Sequence, residues 1–144
     1  MKPDFDYSTV PYGYVHCLNR QCQHATNCLR YQVALRASSV CTTFTVVNPS
    51  HVAPNGEECS YFAPDRLQQF ALGITHLLDN ISYSNAVIIK KQMIDFFEKA
   101  TYYRCWRRER LIKPDEQAYI RKLFLDKGIA ESPLFDEYVE QYEW

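Results

Sequence analysis

The spacing of the cysteines constrains this 144-residue chain more than any other feature of its sequence. Cys17, Cys22 and Cys28 fall within twelve residues, and Cys59 follows a Pro-Asn-Gly segment, 54–56, that is typical of a turn. Thiolates presented from loops are preferred ligands of a tetrahedral zinc ion. The four cysteines therefore predict a zinc site, and bound metal would supply folding free energy to a region with few helical patterns.

The thiol set leaves both the metal and the fourth ligand open. A 4Fe-4S cluster is also held by four thiolates, and irregular spacing does not exclude one. His16 and His24 lie inside the cysteine cluster, and either could replace Cys59 as the fourth ligand. Some of these thiols could instead be buried and pack as small hydrophobic groups. Cys41 and Cys105 lie in a β-prone and a helical run respectively, and we expect both to be structural.

The N-terminal sequence and the hydropathy predict a cytoplasmic location. The first residues lack the apolar segment that a signal peptide needs. No run approaches the roughly 20 apolar residues of a membrane-spanning helix, so no membrane partner is expected. Thiols stay reduced in the cytoplasm, which favours a metal site over a disulfide framework.

Composition and periodicity divide the chain into two regions that are expected to form one compact unit. Residues 1–63 carry five of the six cysteines and three of the four histidines, and they predict an irregular, partly β, metal-binding region. Within it, a helix is expected over 26–37 and a strand over 42–47. Residues 64–144 predict a helical bundle, so the expected fold class is mainly α with a small irregular and β cysteine-rich N-terminal part.

Five helices are predicted in the second region. Apolar residues from Leu67 to Leu78 recur at i, i+3, i+4 and i+7, which is typical of one face of a helix. Pro114 suits the first turn of another helix, and Gly128 suits its end. The predicted spans are 65–79, 84–99, 101–109, 114–128 and 133–142.

The net charge of −1 hides a partition along the chain. Residues 90–127 carry eleven Lys or Arg and six acids, whereas 128–144 carry five acids and no basic residue. The densest basic stretch, 102–110, interleaves arginines with aromatic residues, which favours contact with phosphates and bases. The alternative is a solvated helix face whose arginines pair with the acidic tail inside one molecule.

The stretch 87–124 resembles part of a repressor-type helix-turn-helix domain. In that family a helix and a tight turn lead into a recognition helix that begins Ser/Thr-x-Tyr, followed by an arginine-rich exit and a proline-started helix. Here the corresponding sequences are Val-Ile-Ile-Lys-Lys-Gln-Met-Ile-Asp-Phe-Phe, Ala-Thr-Tyr-Tyr-Arg and Pro-Asp-Glu-Gln. The resemblance implies binding to duplex DNA, with Thr101, Tyr102, Arg104 and Arg107 facing the major groove. The basic exit adds three candidate contacts, Arg108, Arg110 and Lys113.

Nearly the whole chain is similar to a family of unknown function found in Bacteroides-type bacteria. The similarity is carried by the Lys-Pro-Asp-Phe-Asp-Tyr opening, the pattern of the first three cysteines, the Glu-Cys-x-Tyr-Phe sequence at 58–62, and the acidic aromatic tail 138–144. It implies a bacterial cytoplasmic protein and supplies no activity.

The sequence favours a binding protein over an enzyme. It has no glycine-rich phosphate loop, no His-Glu-x-x-His and no Gly-x-Ser-x-Gly motif. We therefore expect a metal-stabilised regulator that contacts DNA. The alternative is a protein–protein interaction module with a structural metal or iron–sulfur cluster and no nucleic-acid role. Its 21 aromatic residues favour that alternative, because aromatic side chains are enriched at interfaces with a protein partner or a second copy of the chain.

Overall fold

The structure, a computed structural model of the chain, describes residues 1, 4–37, 41–52, 54–55 and 57–144. Gly56 of the predicted turn, and Lys2 and Pro3 of the N-terminal motif, lie outside the described residues. The chain divides into two units. The N-terminal unit comprises Met1–Leu67 together with Tyr142–Trp144, and the C-terminal unit comprises Gln68–Gln141.

The described part of the N-terminal unit is built mostly from turns and short helices. Its α-helix, α1, spans Leu29–Ala34, which confirms the central part of the helix predicted over 26–37. Leu29 donates its backbone N–H to the carbonyl of Ala63 at 2.7 Å, which ties the start of α1 to a distant loop. Single 3-10 turns occupy Tyr7–Thr9, Ala25–Asn27 and Pro49–His51.

The strand predicted over 42–47 is wrong. Only Val46 pairs, in an isolated parallel bridge with His16. His16 donates its backbone N–H to Thr45 at 2.8 Å, and Val47 donates to His16 at 2.9 Å. A β-prone run becomes a strand only where a neighbouring segment pairs with it over several residues, and here the pairing stops after one bridge.

The buried core of the N-terminal unit joins residues from both of its segments. Tyr14, Leu29, Val33 and Tyr142 form its centre. Trp144 packs edge-on against Tyr14, with ring centroids 5.1 Å apart. The C-terminal aromatic residues therefore complete a core that the first 67 residues do not fill alone.

Three helices lie in the C-terminal unit, whose residues are all described, and they confirm three predicted spans. They are α2 (Tyr83–Phe97), α3 (Lys99–Trp106) and α4 (Pro114–Leu125). Ser82 caps α2 by accepting the N–H of Asn85. Only Glu98 separates α2 from α3, and its φ of 63° gives the backbone the sharp turn that this short connection needs.

A three-stranded antiparallel sheet contradicts the predicted helical bundle. Its strands are β1 (Leu67–Leu72), β2 (Leu111–Ile112) and β3 (Glu137–Tyr142), in the order β2-β1-β3. β1 and β3 occupy positions where helices were predicted over 65–79 and 133–142, so both predictions are wrong. The expected fold class, mainly α with a helical C-terminal bundle, is wrong for the same reason: helices and a sheet share one core.

The burial of β1 explains the first of these errors. Phe70 and Ala71 are consecutive and both buried, so both faces of the strand are covered. The strand sequence is Leu-Gln-Gln-Phe-Ala-Leu, so its apolar residues lack the alternation typical of a strand and fall at i, i+3, i+4 and i+5, which matches a helix face. Gly73 ends the run with a φ of 84°, and Asp136 fixes the following turn by accepting hydrogen bonds from Thr75 at 2.8 to 3.3 Å.

The core of the C-terminal unit lies between the helices and the sheet. Its fully buried side chains come from α2, α3, α4, β1 and β2, and include Ala71, Ile89, Met93, Cys105, Ile112 and Ile120. Cys105 is therefore part of a hydrophobic core, as the sequence led us to expect. Among the described residues, no helix is both long and apolar enough to cross a membrane.

Candidate metal site and neighbouring cavity

The four cysteines predicted as metal ligands line one small cavity in the N-terminal unit. Cys17, Cys22, Cys28 and Cys59 all contribute to its wall, although 42 positions separate the first from the last. The cavity has a volume of about 20 Å³. A space of this size holds about one water-sized sphere. The structure thus places the four predicted ligand residues around one small cavity.

Backbone hydrogen bonds hold the cysteine-bearing segments together. Cys17 donates its N–H to the carbonyl of Arg30 at 3.1 Å, which places it beside α1. Cys28 precedes α1 and forms an antiparallel bridge with Pro64. Phe62 donates its N–H to the carbonyl of Cys59 at 3.1 Å, which closes a turn at the Cys59 segment. The thiols therefore come from loops and helix ends, the places from which structural zinc ligands are presented.

The thiols influence one another electrostatically. Burial raises the pKa of Cys17 most, and its neighbours Cys28, Cys22 and Cys59 raise it further because a second negative charge nearby is unfavourable. The N–H of Asn19 acts in the opposite direction. Without an ion, Cys17 therefore favours its protonated form. A bound metal ion would favour the thiolate form instead, because its positive charge offsets the repulsion between neighbouring thiolates.

The side chains as they stand are not arranged as a finished coordination sphere. Within the described parts of the chain, no three His, Cys, Asp or Glu side chains are placed to hold a metal ion. All six cysteines are free thiols. Binding an ion would therefore require the thiols around the cavity to turn inward and lose their protons.

The two histidines predicted as alternative ligands lie in different places. His24 lines the cysteine cavity, and its ring packs 5.3 Å from that of Phe62. His16 lines a separate, larger cavity instead. Of the two, only His24 is placed to approach an ion held by the cysteines.

The residues predicted to contact DNA are divided between the core and the surface. Tyr102 is buried, with 4% of its surface exposed, and therefore packs in the core and does not face a groove. Thr101 is half-buried, whereas Arg104 is exposed on α3. Arg107 forms an exposed ion pair with Glu109, at 2.7 Å.

Two further arginines of the predicted DNA-binding segment pair with acids. Arg108 lies 3.7 Å from Asp136 and 3.8 Å from Glu137, so it meets the acidic tail as the alternative interpretation expected. Arg110 binds Glu116 through two hydrogen bonds, at 2.7 and 3.0 Å. Glu116 also accepts the backbone N–H of Lys113 at the start of α4. These pairs are part of the fold, and DNA contact by this segment stays a prediction.

Comparison with known proteins gives a family for the whole chain. The model of a family described as "Family of unknown function (DUF6078)" matches residues 1–144. The chain belongs to the DUF6078 family. The prediction of an uncharacterised family is thereby confirmed. No curated protein and no solved structure matches this DUF6078 chain.

The larger cavity of this DUF6078 protein brings together residues that the sequence did not group. The hydroxyl oxygen of Tyr7 lies 2.9 Å from Nε2 of His16 and 3.7 Å from Sγ of Cys41. No sequence motif predicts this group, because His16 and Cys41 lie 9 and 34 positions after Tyr7. The sequence led us to expect Cys41 to be structural, and its thiol lies beside the Tyr7 hydroxyl.

Proposed function

We propose that this protein binds a single zinc ion through Cys17, Cys22, Cys28 and Cys59, and that the ion stabilises the N-terminal unit. The observation that carries the proposal is that these four cysteines line one cavity of about 20 Å³. Four protein ligands would close the coordination sphere, which is the arrangement of structural zinc sites. The proposed role is therefore structural and not catalytic.

The composition of the N-terminal unit supports a stabilising role for the ion. Its α-helix, among the described residues, has six residues, and the centre of its core contains four side chains. Small units with little core commonly depend on a metal for stability. A zinc ion at the cysteine cavity would join the loop before α1 to the turn around Cys59.

The size of the cavity favours zinc over an iron–sulfur cluster. A single ion fits the present space once the thiols turn inward, whereas a 4Fe-4S cluster needs room for eight atoms. The rings of Tyr31, Tyr61 and Phe62 line the cavity and restrict its expansion.

The metal content of the purified protein tests the proposal. We expect about one zinc per chain by elemental analysis, and loss of most of it in Cys17→Ser or Cys59→Ser. Cys105→Ser is the matched control, because Cys105 lies in the core of the C-terminal unit and should leave the zinc content unchanged.

Two results would contradict the zinc proposal. One is protein without metal, both as purified and after incubation with zinc, in which the four thiols react freely. The other is iron with visible absorption, which would select the cluster. In either case the fold of the C-terminal unit should be unaffected.

A further inference from the structure

A third cavity in the N-terminal unit lies between residues 17–21 and residues 46–52, and Pro54 also lines it. We call it the aliphatic cleft. Its volume is about 500 Å³, which is within the range of small-molecule sites. The cleft is therefore large enough for a small ligand, and its wall indicates the chemical class of that ligand.

Hydrogen bonds tie the two walls of the aliphatic cleft together at two points. Val47, on one wall, donates its N–H to the carbonyl of His16, which precedes the other wall, at 2.9 Å. Asn19 donates a side-chain N–H from Nδ2 to the carbonyl of Pro54 at 2.8 Å, and its Oδ1 accepts the N–H of Gln21 at 3.0 Å. The fold itself thus sets the spacing of the walls, so little binding free energy is lost in ordering them.

The apolar part of the wall consists of aliphatic side chains and proline rings, namely Leu18, Val46, Val47, Pro49, Val52 and Pro54. Among the described residues, no aromatic side chain lines the cleft. Leu18 is 59% exposed and Val46 is 40% exposed, so part of this apolar surface is left in water. A flexible hydrocarbon chain can follow such a wall, and each CH₂ group that it buries there should raise the affinity about fourfold.

Arg20 supplies the charge of the aliphatic cleft. No other charged side chain lines the cleft among the described residues. The guanidinium of Arg20 also has no hydrogen-bond or ion-pair partner within the part of the chain that the structure describes. A planar guanidinium holds a carboxylate by two parallel, charge-assisted hydrogen bonds. The wall therefore complements a molecule with one carboxylate at the end of an aliphatic chain.

We propose that the aliphatic cleft binds a free, medium-chain aliphatic monocarboxylate such as octanoate. Its carboxylate pairs with Arg20, and its hydrocarbon chain lies against the apolar wall that includes Leu18 and Val46. The C-terminus of a peptide would offer the same carboxylate. The free acid fits better, because a peptide would bring amide groups against aliphatic side chains that cannot hydrogen-bond to them.

Isothermal titration calorimetry on the full-length protein, as purified, tests the proposal with matched ligands. We expect octanoate to bind at one site, about tenfold more tightly than hexanoate, which is shorter by two CH₂ groups. It should bind about fivefold or more tightly than 1-octanol, which has the same chain without the charge. Three results would overturn the proposal: no binding at millimolar octanoate, equal affinity for octanol, or tighter binding of a short peptide that ends in Val-Leu.

Variants separate the charge from the apolar wall. Arg20→Gln should lower the affinity for octanoate about fivefold or more and leave that for octanol unchanged. Arg66→Gln is the matched control, because Arg66 is an exposed arginine of the same unit that does not line the cleft. Leu18→Asn should weaken the binding of both ligands. Folded Arg20→Gln with an unchanged affinity for octanoate would overturn the assignment to Arg20.

The metal content distinguishes this proposal from the zinc proposal. Cys17 lines both the aliphatic cleft and the cysteine cavity, and a carboxylate could bind zinc directly. We expect elemental analysis to give the same metal content before and after incubation with octanoate. Removal of zinc by octanoate would overturn the assignment to Arg20. Protein that contains no zinc and still binds octanoate would contradict the zinc proposal alone.

Discussion

A buried carboxylate illustrates how single residues stabilise this fold. Asp136 accepts hydrogen bonds from the backbone N–H and the hydroxyl of Thr75, and its side chain is 7% exposed. Burial alone would raise the pKa of Asp136. The hydrogen bonds from Thr75, with that of the His76 N–H and the charge of Arg108, outweigh it and lower the pKa from its ordinary 3.8. The ionised form is therefore the one that fits this turn.

Replacing this carboxylate should reduce stability in a pH-dependent way. Asp136→Asn should lower the free energy of unfolding by about 1–3 kcal/mol at neutral pH, measured by urea denaturation. The pKa of Asp136 is lower in the folded protein than its ordinary 3.8. The stabilisation is therefore present above about pH 3.8 and is lost as the pH falls through the lowered pKa of the folded state. The difference between the two proteins should therefore shrink in acid.

Glu137→Gln provides the control for the buried carboxylate. Glu137 lies 3.8 Å from the same Arg108, but its side chain is 56% exposed. Glu137→Gln should lower the free energy of unfolding by no more than about 0.5 kcal/mol, because solvent screens exposed ion pairs. Equal effects of the two substitutions would show that the Thr75 hydrogen bonds contribute little.

At the level of elements, helices were predicted well and strands were not. The spans α2, α3 and α4 followed from apolar periodicity and from Pro114 at a first helical turn. β1 was missed because the apolar residues of its Leu-Gln-Gln-Phe-Ala-Leu sequence do not alternate and instead have the spacing of a helix face. β3 was missed because its spacing of Tyr138, Val139 and Tyr142 also fits a helix face. In both strands the deciding factor is the neighbouring strand, which local sequence does not contain.

The turn after β1 gives a test at the same scale. Gly73 has a φ of 84°, and a Cβ there would collide with the carboxylate of Asp136. Gly73→Ala should therefore cost about 3 kcal/mol or more in unfolding free energy, from backbone strain and loss of that contact. Gly128→Ala is the matched control, since its φ is 74° but the added Cβ would meet nothing within 4 Å.

Thermal or urea denaturation distinguishes the two glycines. Gly128→Ala should lower the free energy of unfolding by only about 1 kcal/mol, which is the cost of the backbone strain alone. Similar losses at both positions would mean that the carboxylate moves aside, and that the Asp136 turn does not require glycine.

At the level of the whole molecule, the sequence grouped the four cysteines that line one cavity, but it did not indicate which residues share the second cavity. The four cysteines could be grouped because their spacing and type suggest one chemistry. Tyr7, His16 and Cys41 share no sequence motif and come together only when the chain folds. Binding of DNA remains a prediction. Three arginines of the basic segment have acidic partners, whereas Arg104 is exposed.

The two separate cores predict separate responses to metal removal. A chelator should abolish hydrogen-exchange protection around α1 while leaving that of α2 and α4 in place, because the proposed ion contacts the N-terminal unit alone. Cys17→Ser should reproduce the pattern without chelator, and Cys105→Ser should not. Uniform loss of protection, or none, would contradict the stabilising role of zinc.

The packing of Tyr142 and Trp144 with Tyr14 has a consequence for synthesis. During translation the cysteine-bearing loops emerge from the ribosome well before Tyr142 and Trp144. The core of the N-terminal unit therefore cannot be completed until these two aromatic residues have been made. Early capture of the proposed zinc ion would hold those loops together during that interval and shield their sulfur atoms from oxidation. In a cell short of zinc, nascent chains rather than finished molecules would be the more vulnerable population.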